Sequence, residues 1–264
     1  MSDFDPDRLD ARSPATIAAL LPWARRLSRG YFRAQVAGIE QVPRGPLILA
    51  GNHNNGLAGP EILSTLVALW KHQGPETPLY ALAHDFAMRH FTPFGDLIQR
   101  FGGVRASPEN ARRILDAGGQ ILVYPGGDLE AYRHSRRRNE IVLGRRRGFL
   151  RVAQEKGVPL VPVVAHGAHR SAYIFSEGES IARAMGLKRW ARLERFPLAL
   201  SFPWGLTFGP WLPYFPLPFP IRLRFLPPRR VAPDEDLDEA RERLRRDMQA
   251  ALDEMACEAR SEPR

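Results

Sequence analysis

Short apolar runs alternate with amphipathic helical segments along most of the chain. Runs typical of buried strands occupy residues 47–50, 78–83, 120–124 and 158–165. Apolar side chains follow helical spacing in residues 61–70, 108–118 and 148–156, and a glycine follows each of the last two segments. This repeated strand–helix order predicts an α/β fold, a single domain with a mixed, mostly parallel sheet flanked by helices.

The chain has 264 residues, enough for one large α/β domain with short appendages. We predict an N-terminal amphipathic helical segment over residues 1–35, a central domain over 36–230 and a C-terminal amphipathic helix over 231–264. The first segment also carries Arg25, Arg26 and Arg29. This pattern suits either a helix lying in a membrane surface or one packed on the domain. No run of about 18 apolar residues occurs, so we expect no membrane-spanning helix.

The net charge of +9 favours partners that carry phosphate, namely nucleic acid, anionic lipid or phosphorylated small molecules. A basic run covers residues 133–151, but no nucleic-acid motif or stacking-aromatic pattern accompanies it. Anionic lipid or the phosphates of an acyl carrier fit this run equally well. Cys257 is the only cysteine, which excludes an internal disulfide and a cysteine-based metal site. No histidine pair has a third ligand at a sensible spacing, so we expect no metal.

His53 stands in a glycine- and asparagine-rich loop directly after the apolar run of residues 47–50. The carboxyl ends of strands are where α/β sheets usually bind ligands. An imidazole there can act as a general base near neutral pH. The alternative is a loop histidine that only satisfies local backbone groups.

Two further glycine-containing segments are candidate binding sites. Gly103 and Arg105 combine a close backbone approach with a guanidinium fork that matches phosphate. Pro125, Gly126 and Gly127 force a turn whose backbone N–H groups could hold a phosphate or an oxyanion. The alternatives are a solvated arginine and an ordinary strand-to-helix turn.

Taken in order, these loops resemble four motifs of the glycerolipid (lysophospholipid, 1-acylglycerol-3-phosphate type) acyltransferase family over residues 36–230. Asn52-His53 resembles the first motif, and Gly102-Gly103-Val104-Arg105 resembles the second, which binds the acceptor phosphate in that family. The third and fourth motifs are matched by residues 123–127 and by the proline-containing apolar run 158–163.

The sequence departs from this family pattern at both acidic positions. The aspartate expected shortly after the histidine is missing, and Glu61 is a nearby substitute whose helical position could point it away. The glutamate of the third motif is replaced by Gly126, with Glu130 following in a Pro-Gly-Gly-x-x-Glu pattern. That pattern resembles the diacylglycerol acyltransferase-like branch, in which Glu130 would replace the missing acid.

The resemblance implies an acyltransferase with a glycerol-3-phosphate acyltransferase-like fold. It would move an acyl group from acyl-CoA or acyl carrier protein to a hydroxyl of a glycerolipid or lysophospholipid. It implies His53, Glu61 and Glu130 as catalytic residues. The implied substrate-binding residues are Asn52, Gly103, Arg105, Pro125, Gly126, Gly127, Arg136, Arg137 and Arg138.

The resemblance implies no cofactor and no nucleic-acid partner. We expect membrane lipids as partners and a cytoplasmic location, peripheral on the inner face of the cell membrane. The N-terminal helix and residues 208–219, rich in aromatics and proline, are the segments expected to contact lipid. A catalytically inactive lipid-binding relative is the main alternative, and a polyanion-binding protein is a second one.

Overall fold

The computed structural model describes residues 4–54, 59–84, 88, 92–210 and 214–261. Its strands are β1 Gln35–Ala37, β2 Leu47–Gly51, β3 Leu79–Ala83, β4 Gly103–Arg105, β5 Gln120–Val123, β6 Leu160–His166, β7 Tyr173–Ser176, β8 Leu198–Ser201, β9 Gly205–Phe208 and β10 Arg222–Phe225. Its α-helices are α1 Pro14–Arg26, α2 Pro60–Gln73, α3 Thr92–Arg100, α4 Pro108–Asp116, α5 Gly127–Ala131, α6 Gly148–Lys156, α7 Glu179–Ala184, α8 Leu187–Trp190 and α9 Leu237–Ser261.

Seven strands form the main sheet in the order β1-β10-β6-β2-β5-β3-β4. Strand β10 is antiparallel to β6, and every other neighbouring pair is parallel. The carboxyl ends of β2, β5, β3 and β6 therefore meet at one edge of the sheet. The fold class predicted from the sequence, a mostly parallel mixed sheet flanked by helices, is confirmed.

Strand β2 lies at the centre of the sheet and is buried on both faces. Leu47 and Leu49 face one core cluster, which also contains residues of α1 and α2. Ile48 and Ala50 face a second cluster, which contains residues of α4, α6 and α9. A parallel strand covered by helices on both sides needs such a continuous apolar run.

Strands β7, β8 and β9 form a separate antiparallel sheet within residues 173–208. Ile174 and Ala199 on one of its faces pack against Ala131 and Tyr132 at the end of α5. This sheet follows β6 in the chain and packs against the end of α5, the helix that follows β5. The sequence analysis did not predict it.

Three elements have boundaries that local features set. Strand β1 ends at Ala37, because Gly38 takes a φ of +73° and precedes a 3₁₀ turn. Helix α3 begins at Thr92, and residues 85–87 and 89–91 lie outside the described residues. The C-terminal helix extends from Leu237 to Ser261. In the part of the chain that the structure describes, no helix is long and apolar enough to cross a membrane.

Candidate functional site

The loop after β2 begins with Asn52, whose buried side chain prolongs the pairing between β2 and β6. Its Oδ1 accepts a hydrogen bond from the Ala165 backbone N–H at 2.7 Å, and its Nδ2 donates to the Ala165 carbonyl at 3.0 Å. Both polar groups of Asn52 are thus engaged by the backbone. Asn52 thus fixes the start of the loop that carries His53, and its expected role in substrate binding stays a prediction.

The His53 ring pairs with the carboxylate of Glu61. Nδ1 of His53 lies 2.7 Å from Oε1 of Glu61, and the same oxygen accepts a hydrogen bond from the Asn54 backbone N–H at 3.0 Å. Glu61 is fully buried, whereas 16% of the His53 side chain is exposed. A carboxylate at Nδ1 favours the tautomer with the proton on that nitrogen, which leaves the lone pair on Nε2. The arrangement is that of a base oriented by a buried acid.

The start of α2 directs Glu61 toward the histidine. Gly59 adopts a left-handed conformation with φ +38°, and Pro60 and Glu61 form the first helical turn. A carboxylate in the first turn is also favoured by the positive end of the helix dipole. Glu61 thus provides a carboxylate beside His53, although the aspartate of the family pattern is missing.

Glu130 supports the backbone of the histidine loop rather than the imidazole ring. Its Oε2 accepts from the His53 backbone N–H at 2.7 Å, and its Oε1 accepts from the Val142 backbone N–H at 2.9 Å. Burial raises the pKa of Glu130 to about 7, against the opposing effects of Arg133 and the two N–H donors. Both oxygens of Glu130 thus hold main chain, and its expected role as a catalytic residue stays a prediction.

Arg133 is a buried hub of the site that the sequence analysis placed only within the basic run. Its Nη1 donates to the carbonyls of His53 at 2.6 Å and Glu130 at 2.7 Å. Its Nη2 donates to the Arg138 carbonyl at 2.8 Å and to Oδ1 of Asn54 at 3.3 Å. One guanidinium thus ties the histidine loop to α5 and to the segment that follows it. The sequence feature that could have indicated this role is the spacing of three residues between Glu130 and Arg133.

The turn at Pro125, Gly126 and Gly127 fits closely around these groups. Gly126 is buried, and a Cβ there would collide with the Glu130 side chain and the Val142 carbonyl. Gly127 has φ +52°, and its N–H donates to the Tyr124 carbonyl at 3.1 Å. That N–H is engaged within the turn, so the turn's main observed role is to make room for Glu130.

Tyr124 forms one wall beside the histidine. The centres of the Tyr124 and His53 rings are 5.3 Å apart. Burial raises the pKa of the Tyr124 hydroxyl, and the charge of Glu61 raises it further. The hydroxyl therefore stays neutral, and the ring bounds the imidazole on the side of the Pro125 turn.

Gly103 and Arg105 lie in the edge strand β4, three strands away from β2 in the sheet order. The Arg105 guanidinium pairs with Asp7, and its Nε donates to Oδ1 at 2.8 Å. The hydrogen bond from Arg105 also lowers the pKa of the Asp7 carboxyl. The Arg105 guanidinium, which was expected to bind phosphate, is thus already paired with the Asp7 carboxylate.

The predicted arginines of residues 136–138 are exposed and follow Arg133. Arg137 pairs with Glu140 at 2.8 Å and with Glu177 at 3.2 Å. The pKa of His166 falls to about 4 because of burial and, in order, the charges of Arg222, Arg170 and Arg138. His166 is therefore neutral at physiological pH, at the end of β6 beside the histidine loop.

Known protein families, sequences and structures show what this chain is similar to. The sequence pattern of the Acyltransferase family matches residues 33–166, just over half of the chain and the part that contains His53, Glu61 and Glu130. An uncharacterised protein of Mycobacterium tuberculosis is 25% identical over 215 residues, which cover 78% of this chain and 60% of that protein. The chain therefore spans about three fifths of the length of the mycobacterial relatives it matches.

A human protein named DGAT1/2-independent enzyme synthesizing storage lipids is 26% identical over 241 residues, covering 90% of this chain and 65% of that protein. Among solved structures, the 1-acyl-sn-glycerophosphate (LPA) acyltransferase PlsC from Thermotoga maritima aligns with a TM-score of 0.54 and 17% identity. That alignment covers 90% of this chain and 80% of the other. At this identity the match shows a common fold.

Proposed function

Because this chain belongs to the Acyltransferase family, we propose that it transfers a fatty acyl group from an acyl thioester to a hydroxyl of a glycerolipid at a membrane surface. The observation that carries the proposal is the contact of 2.7 Å between Nδ1 of His53 and Oε1 of Glu61. This contact supports a role for His53 as a base that Glu61 orients, and both residues lie within the part of the chain that matches the family.

In the proposed reaction, Nε2 of His53 removes the proton from the acceptor hydroxyl. The oxygen attacks the thioester carbonyl, a C–O bond forms, and the C–S bond breaks. The leaving thiolate takes the proton from Nε2 of the imidazolium. Glu61 holds the ring and stabilises its positive charge, and general-base catalysis of this kind contributes about 10²–10⁴-fold.

The state of Arg105 supports a neutral acceptor, such as mono- or diacylglycerol, over lysophosphatidic acid. Its guanidinium is already paired with Asp7, so the site expected to bind an acceptor phosphate offers little uncompensated charge. The human relative whose name refers to storage lipids supports the same choice. Acyl-CoA is the proposed donor, with acyl carrier protein as the second candidate.

The alternative of a catalytically inactive lipid-binding relative depended on the missing aspartate. Glu61 now provides a carboxylate at hydrogen-bonding distance from the histidine, which removes the reason for preferring that alternative.

The test is acyl transfer from labelled acyl-CoA, and separately from labelled acyl carrier protein, into vesicles that contain diacylglycerol, monoacylglycerol or lysophosphatidic acid. We expect ester formation with the two neutral acceptors and a loss of at least 10²-fold in His53→Ala. His72→Ala, a histidine in the last turn of α2, is the matched control and should keep the wild-type rate. Equal rates in both variants would refute the role of His53, and a preference for lysophosphatidic acid would refute the acceptor class.

A further inference from the structure

The sheet β7–β9 exposes large apolar side chains on the face turned away from the protein. Tyr173 on β7 lies opposite Leu200 on β8, which lies opposite Leu206 on β9. All three are exposed, as are Phe175 and Phe208 further along the edge strands. We call these five residues the outer face. Leu206 and Phe208 are 55% and 62% exposed, respectively.

The other face of the same sheet is already used by the core. Ile174 and Ala199 pack against Ala131 and Tyr132. An antiparallel sheet with one face in water normally carries polar side chains on that face. An apolar outer face of this extent instead indicates an interaction surface.

The outer face continues toward the N-terminal helix. The backbone N–H of Phe215 donates to the carbonyl of Phe202, in the turn between β8 and β9, at 2.8 Å. The exposed Phe215 ring also packs edge-on against Tyr31, with ring centres 5.7 Å apart. Tyr31 is the last residue of the short helical segment Leu27–Tyr31 that extends α1. Trp23, on α1 itself, is 67% exposed. The exposed aromatic side chains thus run from the small sheet to α1.

Two arginines lie at the border of these exposed aromatic side chains, and Glu177, which follows β7, is paired with Arg137 and Arg195. No Asp, Glu, Lys or Arg occurs between Arg195 and Arg222. At the border, Arg26 lies over the Trp23 ring at 5.1 Å and Arg170 lies over the Phe219 ring at 5.5 Å. An aromatic centre with a cationic border complements a bilayer surface, where apolar groups enter the interface and cations meet anionic headgroups.

The small sheet also adjoins the candidate active site. Tyr214 precedes the exposed Phe215, yet its hydroxyl is buried and hydrogen-bonded to Ser171. The other face of the sheet packs on Ala131 and Tyr132, which lie in the chain between Glu130 and Arg133 of the candidate site. The sheet thus lies between the exposed aromatic side chains and the segment that holds the histidine loop.

We propose that the outer face, together with Phe202 and Phe215, docks the protein on a bilayer that contains anionic lipid. The inference rests on the proposed function, because a lipid acceptor resides in the bilayer, and it identifies the surface through which the site reaches that acceptor. A second copy of the chain or a partner protein would need no cationic border, so these occupants are outcomes of the test.

The experiment is flotation of the full chain with vesicles of phosphatidylcholine alone and of phosphatidylcholine mixed with phosphatidylglycerol. We expect wild-type protein to float with the anionic vesicles and to dissociate as salt rises. Leu206→Thr/Phe208→Thr should lower the bound fraction at least ten-fold. Threonine is chosen because it is favoured in β-strands and should therefore preserve β9. The matched control is Leu97→Thr on α3, where the side chain is 41% exposed, and it should bind as wild type does.

Tyr173→Thr/Phe175→Thr on the opposite edge strand is a second variant, should the first fail to fold. Failure of wild type to bind anionic vesicles, or undiminished binding of a folded outer-face variant, overturns the proposal. A wild-type dimer in sedimentation equilibrium that the variants dissociate, with vesicle binding unchanged, also overturns it and assigns the face to self-association.

A second readout separates this inference from the proposed function. Turnover of a short-chain monoacylglycerol, dissolved as monomers, should be the same in wild type and Leu206→Thr/Phe208→Thr. Vesicle binding without turnover of any acceptor would refute the proposed function and leave the docking surface intact. Turnover of the dissolved acceptor by a wild-type protein that binds no vesicle would refute the docking surface and leave the proposed function intact.

Discussion

The loop around His53 and the outer face of β7–β9 both depart from the usual placement of side chains in a folded protein. The first buries ionisable groups, and the second exposes apolar ones. The loop buries ionisable side chains, among them Glu61, Glu130 and Arg133, and each of these contacts main chain. The outer face exposes aromatic and aliphatic side chains to solvent. Charged groups are rarely buried and apolar patches are rarely exposed without a reason. The two regions therefore differ in what a substitution should change, stability and chemistry in the loop but association at the outer face.

The largest effect is expected from Glu61→Gln, which keeps the size of the side chain but removes the charge beside Nδ1 of His53. Loss of the orienting carboxylate lowers kcat about 10⁴-fold in the serine-protease triad, and we expect a loss of similar order here. The measurement is kcat for acyl transfer to diacylglycerol, with thermal unfolding as the check on folding. A loss under ten-fold in a folded variant would show that Glu61 only anchors the loop.

Next in size is Arg133→Met, which removes the donor that satisfies the carbonyls of His53, Glu130 and Arg138. Breaking a buried charged network costs about 3–5 kcal/mol, so the free energy of unfolding in urea should fall by that amount. Arg136→Met is the matched control on the exposed part of the same segment and should change it by less than about 0.5 kcal/mol. Similar losses in both variants would mean that the buried network contributes little.

Glu130→Gln tests the same network through pH. The pKa of Glu130 is raised from 4.5 to about 7 in the folded protein, so its contribution to stability is fully present below pH 4.5 and is lost as pH rises through 7. This shift corresponds to a loss of about 3 kcal/mol. The advantage of wild type over Glu130→Gln in free energy of unfolding should therefore shrink between pH 4.5 and pH 7. An advantage that is constant or grows across this range would contradict the raised pKa.

The smallest effects sharpen the contrast within a single strand. Ile174→Thr places a hydroxyl in the buried face of β7 and should lower the free energy of unfolding by about 2 kcal/mol. Phe175→Thr, one residue later and on the outer face, should change it by less than about 0.5 kcal/mol. Denaturant unfolding of the two variants measures the difference. Equal losses would indicate that the outer face contributes to the folded core.

Local patterns were sufficient to predict the main sheet and the position of its histidine loop. The helix Gly148–Lys156 and the strand that begins at Leu47 lie where the apolar spacing and the following glycines indicate. These elements depend on neighbours within a few residues, so the sequence carries their signal directly.

The roles of the acidic residues could not be predicted in the same way. The direction of Glu61 depends on the left-handed conformation of Gly59, which sets where α2 begins. Glu130 contacts a backbone group 77 residues away, and no local pattern reports such a contact. Arg133 was grouped with exposed arginines because burial is decided by tertiary packing. The small sheet was missed because its strands are only four residues long. In β9 the apolar side chains lie on the exposed face, whereas Gly205 and Thr207 lie on the other, which reverses the pattern expected of a half-buried strand.

The close contact between Gly126 and Glu130 restricts the order in which this turn could have acquired its sequence. A glutamate at position 126 would begin with a Cβ that collides with the Glu130 side chain, so the two acids exclude one another. A lineage that passes from Pro-Glu-Gly to Pro-Gly-Gly-x-x-Glu must therefore lose the first acid before, or together with, gaining the second. If the two changes were separate, the ancestor between them carried neither acid, with the backbone N–H groups of residues 53 and 142 left to water or to another acceptor.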